Sequence, residues 1–247
     1  MAAARQLPLP FLPRPTYMEV DFIAAESNKH ALIWLAQPAE WPLGRLILYG
    51  PKGSGKTHLL HLWCRRTGGT LTPASDLYAA SAQPPAGPLA VDDADMAEET
   101  ALFHAINTAA EARFPLLLAG REAPARWETR LPDLTSRLRA SLAIGLGPAE
   151  DALLRPLLAR LLAERQLDVK PAVQSWLLTH LPREAAALAE AVARLDHAGL
   201  MGGQAITRTL AVRVMREMTT HCGDDAATEG IWDEISRHDS PPTRQLL

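Results

Sequence analysis

Two cysteines, Cys64 and Cys222, are all that the 247 residues contain. They make no C-x-x-C or other metal-ligand spacing, and a pair so distant reads as two free thiols rather than a disulfide framework. Aromatic residues are scarce too. Four Phe and three Tyr leave little for base-stacking platforms. No apolar run approaches the roughly 18 residues of a membrane-spanning helix. The N-terminus carries Arg5 but no apolar core of signal-peptide length, because prolines interrupt it. Charge of one sign is not in excess either: 25 basic residues stand against 28 acidic ones, and a formal net charge of −3 supplies no strong field toward nucleic acid. A soluble, cytoplasmic protein with no membrane partner is expected.

What is present is an apolar fraction of 47%, enough for a sizeable core, in a chain that can hold one large domain or a domain plus a small one. The chain is organised around Gly50-Pro51-Lys52-Gly53-Ser54-Gly55-Lys56-Thr57, which fits G-x-x-x-x-G-K-[ST] at every fixed position. Before it, Leu46–Tyr49 suits a buried parallel strand. After it, His58–Trp63 continues as helix. Gly53 and Gly55 let backbone N–H groups turn inward around a β-phosphate, where side chains would crowd the anion. The helix starting near Lys56 adds unpaired N–H groups and a positive dipole end. Lys56 can reach the β- and γ-phosphates, and the Thr57 hydroxyl can ligate Mg²⁺. ATP or ADP with Mg²⁺ is the expected cofactor.

The segments around this loop alternate. Ser27-Asn28 predicts a cap for a helix over Lys29–Ala36, ended by Pro38 and Pro42. Thr67-Gly68-Gly69 is a turn into a short strand at Thr70 and Leu71, and 75–80 is helix-compatible. The 83–87 stretch, with Pro84 and Pro85, is a loop. Pro88–Val91 reads as a buried strand ending in Asp92-Asp93. An acidic pair there, downstream of a phosphate loop, completes the nucleotide machinery: Asp92 holds Mg²⁺, usually through water, and Asp93 orients the attacking water. Glu98–Arg113 is an amphipathic helix, Pro115–Ala119 a third buried strand, Leu134–Arg139 helical and Leu142–Ile144 strand-like. Such alternation predicts an α/β domain, a parallel sheet with helices on both faces.

Gly147-Pro148 marks a change. From Glu150 the pattern is Ala/Leu/Arg-rich and helical, over Asp151–Arg165, Pro171–His180, Arg183–Ala198 and Thr207–Thr219. This predicts an all-helical domain of about 70 residues. The boundaries are an extended tail over 1–16, the nucleotide domain over 17–148, the helical domain over 149–220 and a polar tail over 221–247, where Ile231-Trp232 stands out as a docking element. In the first tail, Pro8, Pro10, Pro13 and Pro15 favour extended chain. There Gln6, Leu7, Leu9 and Phe11 set apolar residues where water would meet them unless something covers them. They either pack on their own domain or dock in a partner's apolar pocket.

A nucleotide domain followed by a helical lid resembles the AAA+ plan, and the details resemble its DnaA branch. Tyr49–Leu60 resembles that family's phosphate loop, including the His58-Leu59-Leu60 that follows it. Val91-Asp92-Asp93 resembles its magnesium motif, and Ser27-Asn28 its segment over the base. Leu134-Thr135-Ser136-Arg137-Leu138 resembles the arginine-finger segment, which implies that Arg137 reaches the γ-phosphate on a neighbouring subunit; Arg139 is the near alternative. Leu181-Pro182-Arg183-Glu184 resembles the lid motif whose arginine senses nucleotide, here Arg183. That arginine sits at a helix start, where a cation is poorly placed, so an acid or anion should face it. The match covers about residues 17–218.

The residues after the lid do not read as an initiator-type helix-turn-helix domain. The peptide from Gln6 to Phe11 instead resembles a sliding-clamp-binding peptide, a combination similar to Hda-type regulators. The resemblance implies two partners, the DNA-loaded clamp and the DnaA initiator, whose bound ATP Arg137 would help to hydrolyse. It allows a homo-oligomer and implies DNA contact mainly through the clamp. After the third strand the family tends to place a polar residue and then an acid; Ala119-Gly120-Arg121-Glu122 departs from this and implies weak hydrolysis by the chain itself. An AAA+ helicase loader or DNA-binding adaptor is the alternative, with Arg121, Arg126, Arg130, Arg137 and Arg139 as its basic patch. A free-standing ATPase or nucleotide kinase lacks an acceptor-substrate motif.

Overall fold

The computed structural model describes residues 23–80, 86–202 and 205–221. The peptide Gln6–Phe11, Pro84, Pro85, Cys222, Ile231 and Trp232 lie outside them.

Helix α1 (Lys29–Leu35) opens the described chain. Asn28 precedes it but does not cap it. Its Oδ1 accepts from the Ala25 N–H at 2.9 Å and its Nδ2 donates to Ile23 O at 3.0 Å. The reason is burial: at 3% exposure both ends of the amide need partners, and the preceding backbone offers a donor and an acceptor at once.

The sheet consists of β1 (Arg45–Tyr49), β2 (Thr70–Pro73), β3 (Leu89–Asp92), β4 (Leu116–Gly120) and β5 (Leu142–Gly145). Its order is β2-β3-β4-β1-β5, and every pairing is parallel. Parallel neighbours require crossovers. These contain α2 (Lys56–Thr67), α3 (Leu77–Ala80), α4 (Glu99–Ala112) and α5 (Pro132–Arg139).

Strand periodicity divides the apolar runs between two faces. Leu46, Leu48, Leu117 and Ala119 pack with Ala31 and Leu35 of α1 and with Leu59, Leu60 and Trp63 of α2. Ile47, Val91, Leu116 and Leu118 pack with Leu102 and Ile106 of α4 and with Leu134 and Leu138 of α5. A strand covered on both faces must be apolar throughout, which is why Leu116–Ala119 reads as a run without alternation. Each leucine so buried contributes up to about 1.5–3 kcal/mol relative to exposure.

β1 and β4 are neighbours whose connections leave in opposite directions, from β1 toward β2 and from β4 across to β5. A crevice therefore opens at their carboxyl ends, the usual ligand position in such sheets. The phosphate-loop sequence begins there.

Beyond the sheet come α6 (Asp151–Glu164), α7 (Pro171–His180), α8 (Ala185–Gly202) and α9 (Arg208–His221). They enclose a second core, with Leu154, Leu158, Leu162, Leu177, Leu195 and Val214. Helix α8 begins at Ala185 rather than at Arg183 as the sequence suggests. The Glu184 N–H turns back to Pro182 O at 2.7 Å, so residues 182–184 form a tight turn outside the helix. Among the described residues no helix is long and apolar enough to cross a membrane.

Candidate nucleotide site

The loop between β1 and α2 is built on backbone conformations that only glycine adopts freely. Gly53 and Gly55 have φ of +76° and +92°. Gly55 sits at the N-cap of α2 and brings no side chain to the helix end, so the first N–H groups of α2 are left to a ligand.

Lys56 is buried at 8% exposure, and its Nζ donates to Gly50 O at 2.7 Å and Pro51 O at 2.9 Å. Burial lowers its pKa from the usual lysine value, while Asp92, Asp93 and Asp95 oppose that shift. An ammonium held in this way is already largely desolvated and aimed across the loop.

Thr57 and Asp92 are brought together by the fold: Thr57 Oγ1 donates to Asp92 Oδ2 at 2.7 Å. Asp92 Oδ1 accepts from the Asp93 N–H at 3.1 Å, and Asp93 is exposed, with φ of +50°. Asparagine and aspartate tolerate that region better than most side chains. Among the described residues no cluster of three or more His, Cys, Asp or Glu could hold a metal unaided. A hydroxyl and one carboxylate fit Mg²⁺ only if phosphate oxygens and water complete its shell. Pro51 and Lys52 are exposed on the loop, and Ser54 Oγ is buried without a hydrogen-bond partner. His58 is partly buried on the first turn of α2. Within the same helix, burial pushes the Cys64 thiol up to about 11, so it is an inert core thiol.

At the end of β4, Gly120 is fixed by packing. A Cβ there would lie 2.6 Å from Trp127 Cζ2 and 3.2 Å from Asp95 Cγ. Trp127 is held by its own Nε1, which donates to Glu122 O at 2.8 Å, and Asp95 by the Arg121 N–H at 2.8 Å. The indole thus fills the place of a polar side chain at this strand end. Gly120→Ala should cost about 1–3 kcal/mol through overpacking. A melt monitored by circular dichroism should show a midpoint several degrees lower; an unchanged midpoint would mean Trp127 yields freely.

Two further sequence-assigned arginines have partners of their own. Arg183 pairs with Asp151 and also donates through Nε to Ala149 O at 3.3 Å. Asp151 is therefore the acid expected to face it. Its neighbour Glu184, the last residue of the lid motif, lies against the phosphate loop at Gly53. Arg137 stands at the other end of the sheet. Its guanidinium lies over the Phe103 ring, 5.3 Å from the centroid. Its carbonyl accepts from Ser141 Oγ at 2.8 Å and from the Arg45 guanidinium at 3.4 Å. Arg45 is the first residue of β1, and the phosphate loop follows the last. The separation is about one strand length, roughly 16 Å. Arg45 is 4% exposed, and burial first, then the nearby Arg137 charge, lowers its pKa.

Known structures share this fold. Domain III of the Thermotoga maritima replication initiation protein DnaA superposes with a TM-score of 0.71 at 16% identity, over 83% of this chain and 97% of that one. AMPPCP-bound DnaA from Aquifex aeolicus gives 0.62 at 20% identity, over 76% and 68%. The Thermotoga maritima RuvB Holliday junction branch migration motor gives 0.62 at 17%, over 81% and 72%. Comparison with curated protein sequences gives no match. The strand order, the phosphate loop and the helical lid give the chain the AAA+ fold seen in DnaA domain III. Residues 151–215 match the family described as Hda, lid domain. The chain thus joins a fold like that of DnaA domain III to a lid similar to that of Hda.

Proposed function

We propose that the chain binds ADP or ATP with Mg²⁺ and, recruited by a DNA-loaded sliding clamp, stimulates hydrolysis of ATP bound to the DnaA initiator. The position of Arg137 carries this reading. It is too far from its own phosphate loop to act there, so a catalytic role must be played on a neighbour's nucleotide. The Hda-type lid favours DnaA as that neighbour, and the DnaA structure bound to AMPPCP supports a nucleotide in the loop.

Within the chain's own site, Lys56 and the loop N–H groups would bind the phosphates, Thr57 and Asp92 would hold the metal, and Asp93 would orient water. Mg²⁺ held by Thr57 and Asp92 would neutralise charge developing on the phosphate oxygens. Gly120, packed under Trp127, brings no polar side chain of its own to the end of β4, which favours slow turnover. The basic patch needed for the DNA-adaptor reading is weakened by pairing, since Arg126 joins Glu122 at 3.1 Å and Arg137 faces Phe103.

The clamp is the partner to test first. The full chain should bind its host's sliding clamp, and Gln6→Ala/Leu9→Ala/Phe11→Ala should weaken binding at least about tenfold, because such short docking peptides concentrate affinity in a few anchors. Surface plasmon resonance on immobilised clamp reads this directly. If the intact chain does not bind, the clamp-dependent mechanism is wrong.

A further inference from the structure

The contact between Glu184 and Gly53 joins the lid to the phosphate loop at a specific point. A Cβ on Gly53 would meet Glu184 Cβ at 2.6 Å and Cδ at 3.0 Å, so the glutamate side chain lies directly on the loop. Its approach is set from behind. Arg183 is turned the other way, onto Asp151 and Ala149 O, and the Glu184 N–H closes a tight turn onto Pro182 O. With its neighbour so anchored, Glu184 projects toward the loop. Among the described residues no cation lies within ion-pair distance of it.

We propose that Glu184 is a gate: a lid carboxylate that covers the phosphate loop and must withdraw before a nucleotide's phosphates seat there. This rests on the reading of the loop as a nucleotide site. The physical basis is twofold. Glu184 occupies space beside Gly53 that any anion in the cradle would approach. It also places an unpaired negative charge where a more highly charged anion must come. Proteins that bind a ligand only from a minor open state lose apparent affinity in proportion to that state's population. The lid turn and the loop then form one switch, closed with Arg183 on Asp151 and open with Glu184 swung away.

Two variants separate the gate from the site itself. Glu184→Gln keeps the shape and removes the charge; Glu184→Ala removes both. Fluorescent ADP and ATP analogues are titrated into the full-length protein with Mg²⁺, beside wild type and Lys56→Ala, with circular dichroism confirming that each variant is folded. Glu184→Ala should bind about tenfold more tightly than wild type, the change expected when a closed state favoured by that ratio is lost. Glu184→Gln should lie between them. Wild-type binding that Lys56→Ala abolishes and that neither Glu184 variant improves would overturn the gate while leaving the nucleotide site intact. No binding by wild type or by either Glu184 variant would overturn the nucleotide site and the gate together. Binding only after Glu184→Ala would support a gate that is fully shut.

Discussion

Lys56→Ala should weaken ADP binding by about two orders of magnitude or more, the scale set when one partner of a desolvated, hydrogen-bonded charge pair is removed. Lys56 is nearly buried, and its ammonium is already taken from water and held by two carbonyls of its own loop. A phosphate therefore meets a cation whose desolvation was incurred on folding, not on binding. Such preorganisation strengthens each charge-assisted hydrogen bond relative to one formed in solvent. Removing the ammonium should leave the fold largely intact, because truncation also removes a burial cost and the core residues beneath, Leu59 and Leu60, are untouched. Isothermal titration with ADP and Mg²⁺ measures the affinity, and a thermal melt measures the fold. Loss of binding with a nearly unchanged midpoint is the expected pair of results. Unchanged affinity would remove the phosphate-loop assignment and, with it, the functional reading of the site.

That site was legible in the sequence because its parts are contiguous. Gly50 to Thr57 carry their geometry in the order of the residues, since glycines at 53 and 55 permit the turn and the helix must start where it ends. The strands were legible for a similar reason: doubly covered strands are apolar at every position, and Pro, Gly and acidic residues bracket them. The contacts that decide how the site behaves are not contiguous. Glu184 reaches Gly53 and Asp151 turns Arg183 aside, each across a long stretch of chain, and Trp127 folds back over Gly120 through an intervening turn. Nothing in the local pattern around Trp127 says which glycine it covers. Asn28 illustrates a subtler failure. Its type and position fit a helix cap, but burial gave its amide better partners at Ala25 and Ile23. Local propensity named the residue, and tertiary context chose its bonds.

Arg137→Ala should reduce stimulation of DnaA–ATP hydrolysis by about 10³-fold or more, as loss of an arginine supplied in trans does in other phosphoryl-transfer systems. It should leave the chain's own ADP affinity unchanged, because Arg137 stands about a strand length from its own loop. The surroundings explain how such a side chain could be presented. Glu99 of α4 accepts the Arg130 N–H at 2.9 Å and the Leu131 N–H at 3.0 Å, which fixes the start of α5. One turn further along α4, Phe103 lies under the guanidinium. Two points on one helix thus hold both ends of the segment that carries the arginine. The like charge of Arg45 nearby disfavours burial of Arg137 and leaves outward presentation as the cheaper option. Arg139 lacks these supports: it is exposed at the last turn of α5, so Arg139→Ala should change stimulation only slightly. The assay is phosphate release from DnaA–ATP with loaded clamp and each variant at a saturating concentration, alongside ADP titration of the variant alone. Loss with Arg139→Ala and not with Arg137→Ala would move the finger two residues along the helix. Loss of ADP affinity in Arg137→Ala would show that the arginine acts through its own domain, which the sheet geometry forbids.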